Sequence, residues 1–377
     1  MRRIISAFWV AVVVAGGPAP AGAAASAAET DAKFEKQAAE IAASDDIVGL
    51  ALAVVRDGEP VLLKTYGPRE VGGVEPVDPH TIFRIASLSK AFATGVVAQL
   101  VSEGNLKLTT LAVGFAPEFR LKDQRQLAAV TIEHVMSHRL GLPPNAYDNL
   151  LEANMSPDRI LRRFGKVDPI CPVGQCYAYQ NVAFNIVAKV IEAADGRPID
   201  KAMAERIFKP LHMETASIGP EGLRRTGNWA RPHRRRRGKP WHLTPVKKVY
   251  YRLPAAAGVN ASITDMAQWL SAQMGNAPEV LSPEMLSMLH KPRVETPSQV
   301  RRIGQVLNVE SAQYGLGWRI YEYKGKTVVS HTGSVDGYSA QITFLPDRKA
   351  GLVLLCNSRS RTFYKIMPIW LNLELGK

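Results

Sequence analysis

The sequence predicts an α+β fold in which a central antiparallel β-sheet, flanked by N- and C-terminal helices, carries an inserted and mainly helical region. Three observations predict it. Short apolar runs separated by turn residues cluster near the start of the chain, and a second such cluster lies near its end. Between them, apolar residues recur at helical rather than strand spacing. At 377 residues with 46% hydrophobic and 21% charged side chains, the chain is long and apolar enough to bury a large core.

The elements follow in order. Arg2 and Arg3 precede an apolar run over 4–15, of about 12 residues against the roughly 20 a membrane span needs. A small-residue stretch over 19–28 offers A-x-A sites such as Ala21-Gly22-Ala23 and Ala25-Ser26-Ala27. Residues 1–27 therefore read as a cleaved signal peptide, and an exported, periplasmic or secreted product is expected. Phe34, Ala38, Ile41 and Ala42 recur at helical spacing and predict a first amphipathic helix. Apolar runs over 50–55 and 61–65, joined through Asp57-Gly58, predict a hairpin.

The middle of the chain starts with a helix over 90–101, apolar at Phe92, Val96, Val97, Leu100 and Val101 and capped by Gly104. A second helix over 181–194 closes at Gly196. Near the end, runs over 318–323 and 327–331 flank Lys324-Gly325, and runs over 339–345 and 351–356 flank Pro346-Asp347-Arg348-Lys349. A last helix is expected over 362–375, kinked by Pro368. Sheet regions over 28–86 and 206–377 would thus enclose a helical region over 87–205, with a cleft where they meet.

The formal charge of +13 is localised. Residues 223–252 hold eight Arg, three Lys and no acid, and with Arg2 and Arg3 they account for all of it. The plain reading of that stretch is a solvated loop. Its interleaved Trp229, Trp241, Tyr250 and Tyr251 could grip single-stranded nucleic acid, but export argues against nucleic acid as a partner. Steering anionic substrates toward the cleft is the preferred functional reading, with weak contact of loop 223–252 to anionic surfaces as the alternative.

Cys171 and Cys176 are spaced to close a small loop in an oxidising compartment, the other reading being two free thiols. Cys356 ends an apolar run and reads as a buried strand residue. No second Cys/His pair stands at zinc-ligand spacing, and His134 and His138 lack acidic companions, so no metal and no cofactor are expected. Gly333-Ser334-Val335-Asp336-Gly337 puts its serine in the wrong place for a nucleophile elbow.

Ser87-Leu88-Ser89-Lys90 combines a serine beside unpaired helix N-terminal N–H groups with a lysine one turn on, facing the same way. Such a lysine can activate the hydroxyl if its pKa falls from about 10.4 toward 7, which only a desolvated or cation-rich site provides. The bland alternative is a capping serine and a surface lysine, and Ser-x-x-Lys alone is a weak signal.

The setting supplies the weight. Phe83-Arg84-Ile85-Ala86-Ser87-Leu88-Ser89-Lys90 before an apolar helix resembles the penicillin-recognising serine hydrolases, most of all their class C β-lactamase, D,D-peptidase and esterase branch. Val135-Met136-Ser137-His138 with Gly141-Leu142-Pro143, then Tyr179-Gln180-Asn181, residues 258–265, Tyr314-Gly315-Leu316-Gly317-Trp318 and His331-Thr332-Gly333 follow in that family's order. The resemblance spans roughly 30–375 as one continuous catalytic unit and implies a β-lactamase/transpeptidase-like fold.

It also implies roles. Ser87 would be the nucleophile, with Lys90 and Tyr179 handling protons. Asn181 would bind the substrate's amide, and the N–H groups of Ser87 and Ser334 would form the oxyanion hole. His331, Thr332 and Gly333 would lie along the substrate or the Tyr179 hydroxyl. Tyr147-Asp148-Asn149 also fits Tyr-x-Asn but opens no clear apolar helix, and is set aside. His331 departs from the lysine usual in the β-lactamases of this branch, which predicts weaker depression of the Lys90 and Tyr179 pKa values and slow β-lactam deacylation. The implied function is a monomeric serine acyl-hydrolase acting on a β-lactam, a D-amino-acid or peptidoglycan-like peptide, or another small molecule. A short-chain carboxylesterase and a non-turnover penicillin-binding module are the alternatives.

Overall fold

The computed structural model describes residues 21–376. Most of the expected leader, residues 1–20, lies outside the described residues. Helix α1 (Ala21–Ala42) includes residues 21–28 of the small-residue stretch and continues through the amphipathic segment, burying Phe34 and Ala38.

The large sheet has eight antiparallel strands: β1 (Leu50–Arg56), β2 (Glu59–Tyr66), β3 (Val294–Glu295), β4 (Ser311–Tyr314), β5 (Arg319–Tyr323), β6 (Lys326–Val335), β7 (Tyr338–Leu345) and β8 (Ala350–Cys356). Their spatial order is β2-β1-β8-β7-β6-β5-β4-β3. Strand β1 pairs with β8 from Leu50↔Cys356 to Arg56↔Ala350, so the two ends of the chain meet in mid-sheet. The hairpins close where expected, with left-handed backbone at Asp57-Gly58 and Lys324-Gly325.

Both faces of the sheet are covered, which is why its strands read as continuous apolar runs rather than strict alternation. Along β1, Ala51, Ala53 and Val55 face the helical region while Leu50, Leu52 and Val54 face the two terminal helices. On the latter side α1 packs beside the C-terminal helix, and Arg56 joins them by ion pairs to Asp31 (2.6 Å) and Glu374 (2.7 Å).

Helix α2 (Ser89–Ser102) is buried along nearly its whole length, and Phe92 stacks on Trp269 at 4.1 Å. An all-round apolar helix of this kind belongs in a core. The expected helix at 181 begins later, as a 3-10 turn over Ala183–Asn185 followed by α3 (Ile186–Asp195), with Gly196 left-handed at its end.

Two expectations shift. The large sheet does not resume at 206: residues 206–293 add no strand to it, and strands β3 to β8 come after them. The apolar residues over 254–273 have helical spacing, and 223–252 is too charged to bury on two faces. Instead, Phe83–Arg84, Val259–Ala261 and Ser217–Ile218 form a separate three-stranded sheet beside the cleft. The last helix begins later than expected. A 3-10 turn over Thr362–Lys365 precedes α4 (Ile366–Glu374), and Pro368 falls in the first turn of α4, where no intrahelical N–H is needed.

Candidate active site

Ser87 sits in a 3-10 turn (Ala86–Leu88) that runs into α2, and Ala86 before it holds a left-handed φ of 51°. Ser89 fixes this turn: its hydroxyl donates to the Ala86 carbonyl at 2.6 Å and accepts the Val259 N–H at 2.9 Å. Strand β6 passes so close that a Cβ on Gly333 would lie 2.2 Å from the Ile85 carbonyl oxygen and 3.1 Å from the Ser87 nitrogen. Only glycine allows this approach, which lays the 333–334 backbone beside Ser87.

Lys90 is fully buried. Its Nζ donates to Asn181 Oδ1 at 2.9 Å, to the Ala256 carbonyl at 3.1 Å and to Ser87 Oγ at 3.5 Å. It also lies 4.6 Å from the centre of the Tyr179 ring. Burial drives its pKa down to about 7, with Asp148 pulling it up and Arg319 pushing it down.

Tyr179 is pushed up to about 12 by burial, against the opposing pulls of Arg319 and a hydrogen bond with Ser87. Its phenol is therefore neutral at ordinary pH, and Lys90 is the group able to accept a proton there.

Asn181 is engaged at both ends of its amide, since Nδ2 donates to Asp148 Oδ2 at 2.7 Å while Oδ1 accepts from Lys90. It still lines the cleft, but its first partners are within the protein.

His331 is buried, with its Nδ1 at 3.0 Å from the Thr332 carbonyl and its Nε2 at 3.1 Å from the Tyr314 hydroxyl. A carbonyl only accepts, so Nδ1 carries the proton and Nε2 accepts from Tyr314. Burial, Arg319 and Lys90 hold the imidazole well below its usual range, hence neutral.

The cleft, of about 340 Å³, is lined by Ser87, Asn181 and Ser334, with Arg234, Lys247 and Arg359 as basic residues and Glu152 and Asp336 as acidic ones. The structure thus gathers Ser87, Lys90, Tyr179, Asn181, His331, Gly333 and Ser334 into one neighbourhood. Thr332 is the exception. It lines a separate cavity with Arg302, Arg319, Gln341 and Arg361.

Several participants went unnoticed in the sequence. Arg319 on β5 is buried, hydrogen-bonds the Tyr177 hydroxyl at 3.2 Å and stands 5.5 Å from the Tyr179 ring centre. Asp148, set aside with its Tyr-x-Asn look-alike, is the partner of Asn181, whereas Tyr147 stacks on Phe164. Asp336 is pinned by the buried Arg84 at 2.9 Å. An arginine directly after Trp318, opening a strand otherwise apolar but for Glu322, was the one readable signal for Arg319.

Residues 223–252 are not a free loop. Trp229, His233 and Tyr251 are buried, Arg235 pairs with Asp46, and Arg234, Lys247, Val249 and Tyr250 wall the cleft. Residues 224–227, 236–240, 242–243, 245 and 247–248 remain exposed. Cys171 and Cys176 are joined by a disulfide. His134 completes a capping box with Thr131, and His138 packs its ring 4.4 Å from that of Tyr179. Among the described residues no cluster of His, Cys, Asp or Glu could hold a metal, and no helix is long and apolar enough to cross a membrane.

The family model described as Beta-lactamase matches residues 32–376. An unguisins hydrolase of Aspergillus campestris is 27% identical over 330 residues, a match covering 84% of this chain but only 60% of that relative. The Escherichia coli beta-lactamase is 23% identical, over 86% of this chain and 88% of its own length. Among solved structures, the octameric penicillin-binding protein homologue from Pyrococcus abyssi superposes with a TM-score of 0.81 at 25% identity, over 92% of this chain and 77% of that one.

Proposed function

The chain belongs to the beta-lactamase family of serine hydrolases and has its β-lactamase/transpeptidase-like fold, and from that membership we propose that it cleaves an amide or ester through an acyl-enzyme on Ser87. One observation carries the reading: a fully buried lysine, with a pKa near 7 and no carboxylate against it, lies 3.5 Å from the Ser87 hydroxyl.

The chemistry follows from the site. Lys90 takes the Ser87 proton as Oγ attacks the carbonyl carbon. The N–H groups of Ser87 and Ser334 receive the oxyanion, each donor being worth about 3–4 kcal/mol in comparable sites. The neutral Tyr179 phenol, recharged from Lys90, protonates the leaving group. Water then repeats the sequence on the acyl-enzyme.

Cleft charge supports an anionic substrate, such as a β-lactam or a peptide ending in a D-amino acid. Glu152 is occupied by the Tyr250 hydroxyl and Asp336 by Arg84. Arg234 also lies 3.8 Å from Asp336, which leaves Lys247 and Arg359 to face the ligand and to steer it in. A neutral His331 beside a raised Tyr179 supports slow release of bulky acyl groups, so β-lactams label faster than they turn over. A short-chain ester would be the quicker substrate.

The test is to react wild type and Ser87→Ala with a fluorescent penicillin and with nitrophenyl butyrate, following covalent mass and product. Adduct or turnover in wild type alone sustains the proposal. Reaction of neither probe, or of both proteins equally, overturns it.

A further inference from the structure

Asp148 stands directly after Tyr147, whose left-handed φ of 60° turns the chain into a short helix over Asp148–Glu152. This turn delivers the carboxylate to Asn181 at 2.7 Å, and the far end of the same amide meets Lys90 at 2.9 Å. The amide orientation is set by chemistry, since nitrogen must face the carboxylate and oxygen the lysine. Asp148, Asn181, Lys90 and Ser87 therefore form one hydrogen-bonded series. The other carboxylate oxygen, Oδ1, is buried without a partner.

The width of one carboxamide between Asp148 and Lys90 matters. A carboxylate in direct contact would lock Lys90 as an ammonium and remove its capacity to accept a proton. With Asn181 between them, Asp148 orients Lys90 and tempers the depression of its pKa without quenching it. The surrounding charged and titratable groups are few: Lys90 from α2, Tyr179, Glu152 one turn along its own helix, and Tyr250 and Arg252 from the segment over Val249–Arg252. Burial raises the Asp148 carboxyl to about 6, against the hold of Asn181 and Lys90.

We propose that Asp148 is a positioning residue for Ser87 acylation, holding Asn181 so that it aims Lys90 at the serine and setting the pH range over which Lys90 serves as base. This rests on the reading of Ser87 as nucleophile.

The test measures the rate of covalent labelling by a fluorescent penicillin from pH 5 to 9, in wild type, Asp148→Asn, Asp148→Ala and Ser87→Ala, with thermal melts of each. Asp148→Asn keeps an acceptor for Asn181 but removes the charge that raises Lys90. Its acid limb should move to lower pH by on the order of one unit. Asp148→Ala also frees Asn181 and should slow labelling at pH 8 by about 10- to 100-fold, the penalty of a misplaced catalytic group. An Asp148→Asn profile that overlays wild type overturns the proposal, as does an equal fall of both variants with an unchanged pH profile. If Ser87→Ala labels as fast as wild type, the nucleophile reading fails, and the positioning role with it. Should Asp148→Ala not fold, the isosteric Asp148→Asn still decides.

Discussion

Lys90 Nζ lies 2.9 Å from Asn181 Oδ1 but 3.5 Å from Ser87 Oγ, so the lysine is gripped firmly on one side and only loosely on the side that reacts. A long contact in the unliganded site is the usual prelude to one that tightens around substrate. Lys90→Arg keeps the charge but cannot release its proton near neutrality. Acylation of Ser87 should fall by about 10²- to 10⁴-fold. In wild type, the acylation rate should rise with pH through about 7 as Lys90 loses its proton. A pH-rate profile of penicillin labelling checks both statements.

The buried lysine also bears on stability. Its folded pKa, about 7, lies below its ordinary value of 10.5, so between those pH values the unfolded chain holds a proton that the folded chain does not. Stability from this group therefore increases as pH rises from about 7 toward 10.5. Lys90→Met should abolish that slope and stabilise the fold at pH 7 by on the order of 1–2 kcal/mol, as often happens when a catalytic group is removed. Thermal melts at pH 7 and pH 9 measure it.

Arg319 and Asp148 act on Lys90 with opposite sign. Replacing Arg319 with Met removes a cation that lowers the lysine, so the acid limb of acylation should move to higher pH, opposite to Asp148→Asn. Tyr179, which Arg319 also lowers, should rise further. Comparing the two pH-rate profiles checks the opposition, and limbs moving in the same direction would contradict it.

Salt provides a test of the basic cleft wall. For an anionic penicillin, kcat/KM should fall as ionic strength rises and the Debye length shrinks from about 30 Å at 0.01 M to about 8 Å at 0.15 M. For neutral nitrophenyl butyrate it should stay flat. Replacing Lys247 and Arg359 with Gln should weaken the salt effect on the penicillin.

Gly333→Ala should be disruptive. Its new methyl would strike the Ile85 carbonyl, which is backbone and cannot swing aside. A loss of about 1–3 kcal/mol of stability is expected, together with loss of Ser87 labelling as β6 is pushed away from the nucleophile. Urea unfolding and covalent mass report the two effects separately.

The hairpins and the buried helix after Ser87 were legible in the sequence because each depends on local rules, whereas the Tyr179 and His331 segments were singled out only by their resemblance to the family's motifs. Asp57-Gly58 selects a turn, and apolar periodicity selects a helix. What stayed hidden depends on distant approach. Asp148 lies 33 residues from Asn181 in sequence, and Arg84 lies 252 from Asp336, separations that no periodicity encodes. Thr332 is read from the sequence as facing the substrate together with its neighbours, but it lines another cavity than the one Ser87 lines. The basic stretch looked solvated because its charge conceals the anchors Trp229, His233 and Tyr251.

The pairing of β1 with β8 has a consequence for synthesis. Leu50 finds Cys356 only after nearly the whole chain exists, so a nascent polypeptide carries its first strand pair without the neighbour that completes the sheet. Contacts this distant in sequence are slow to form. Strand β6 and Gly333, too, reach the Ser87 turn only from the far end of the chain. A product truncated before β8 would hold Ser87 and Lys90 yet lack the strand that joins β1 to the rest of the sheet, and it is expected to show no labelling of Ser87.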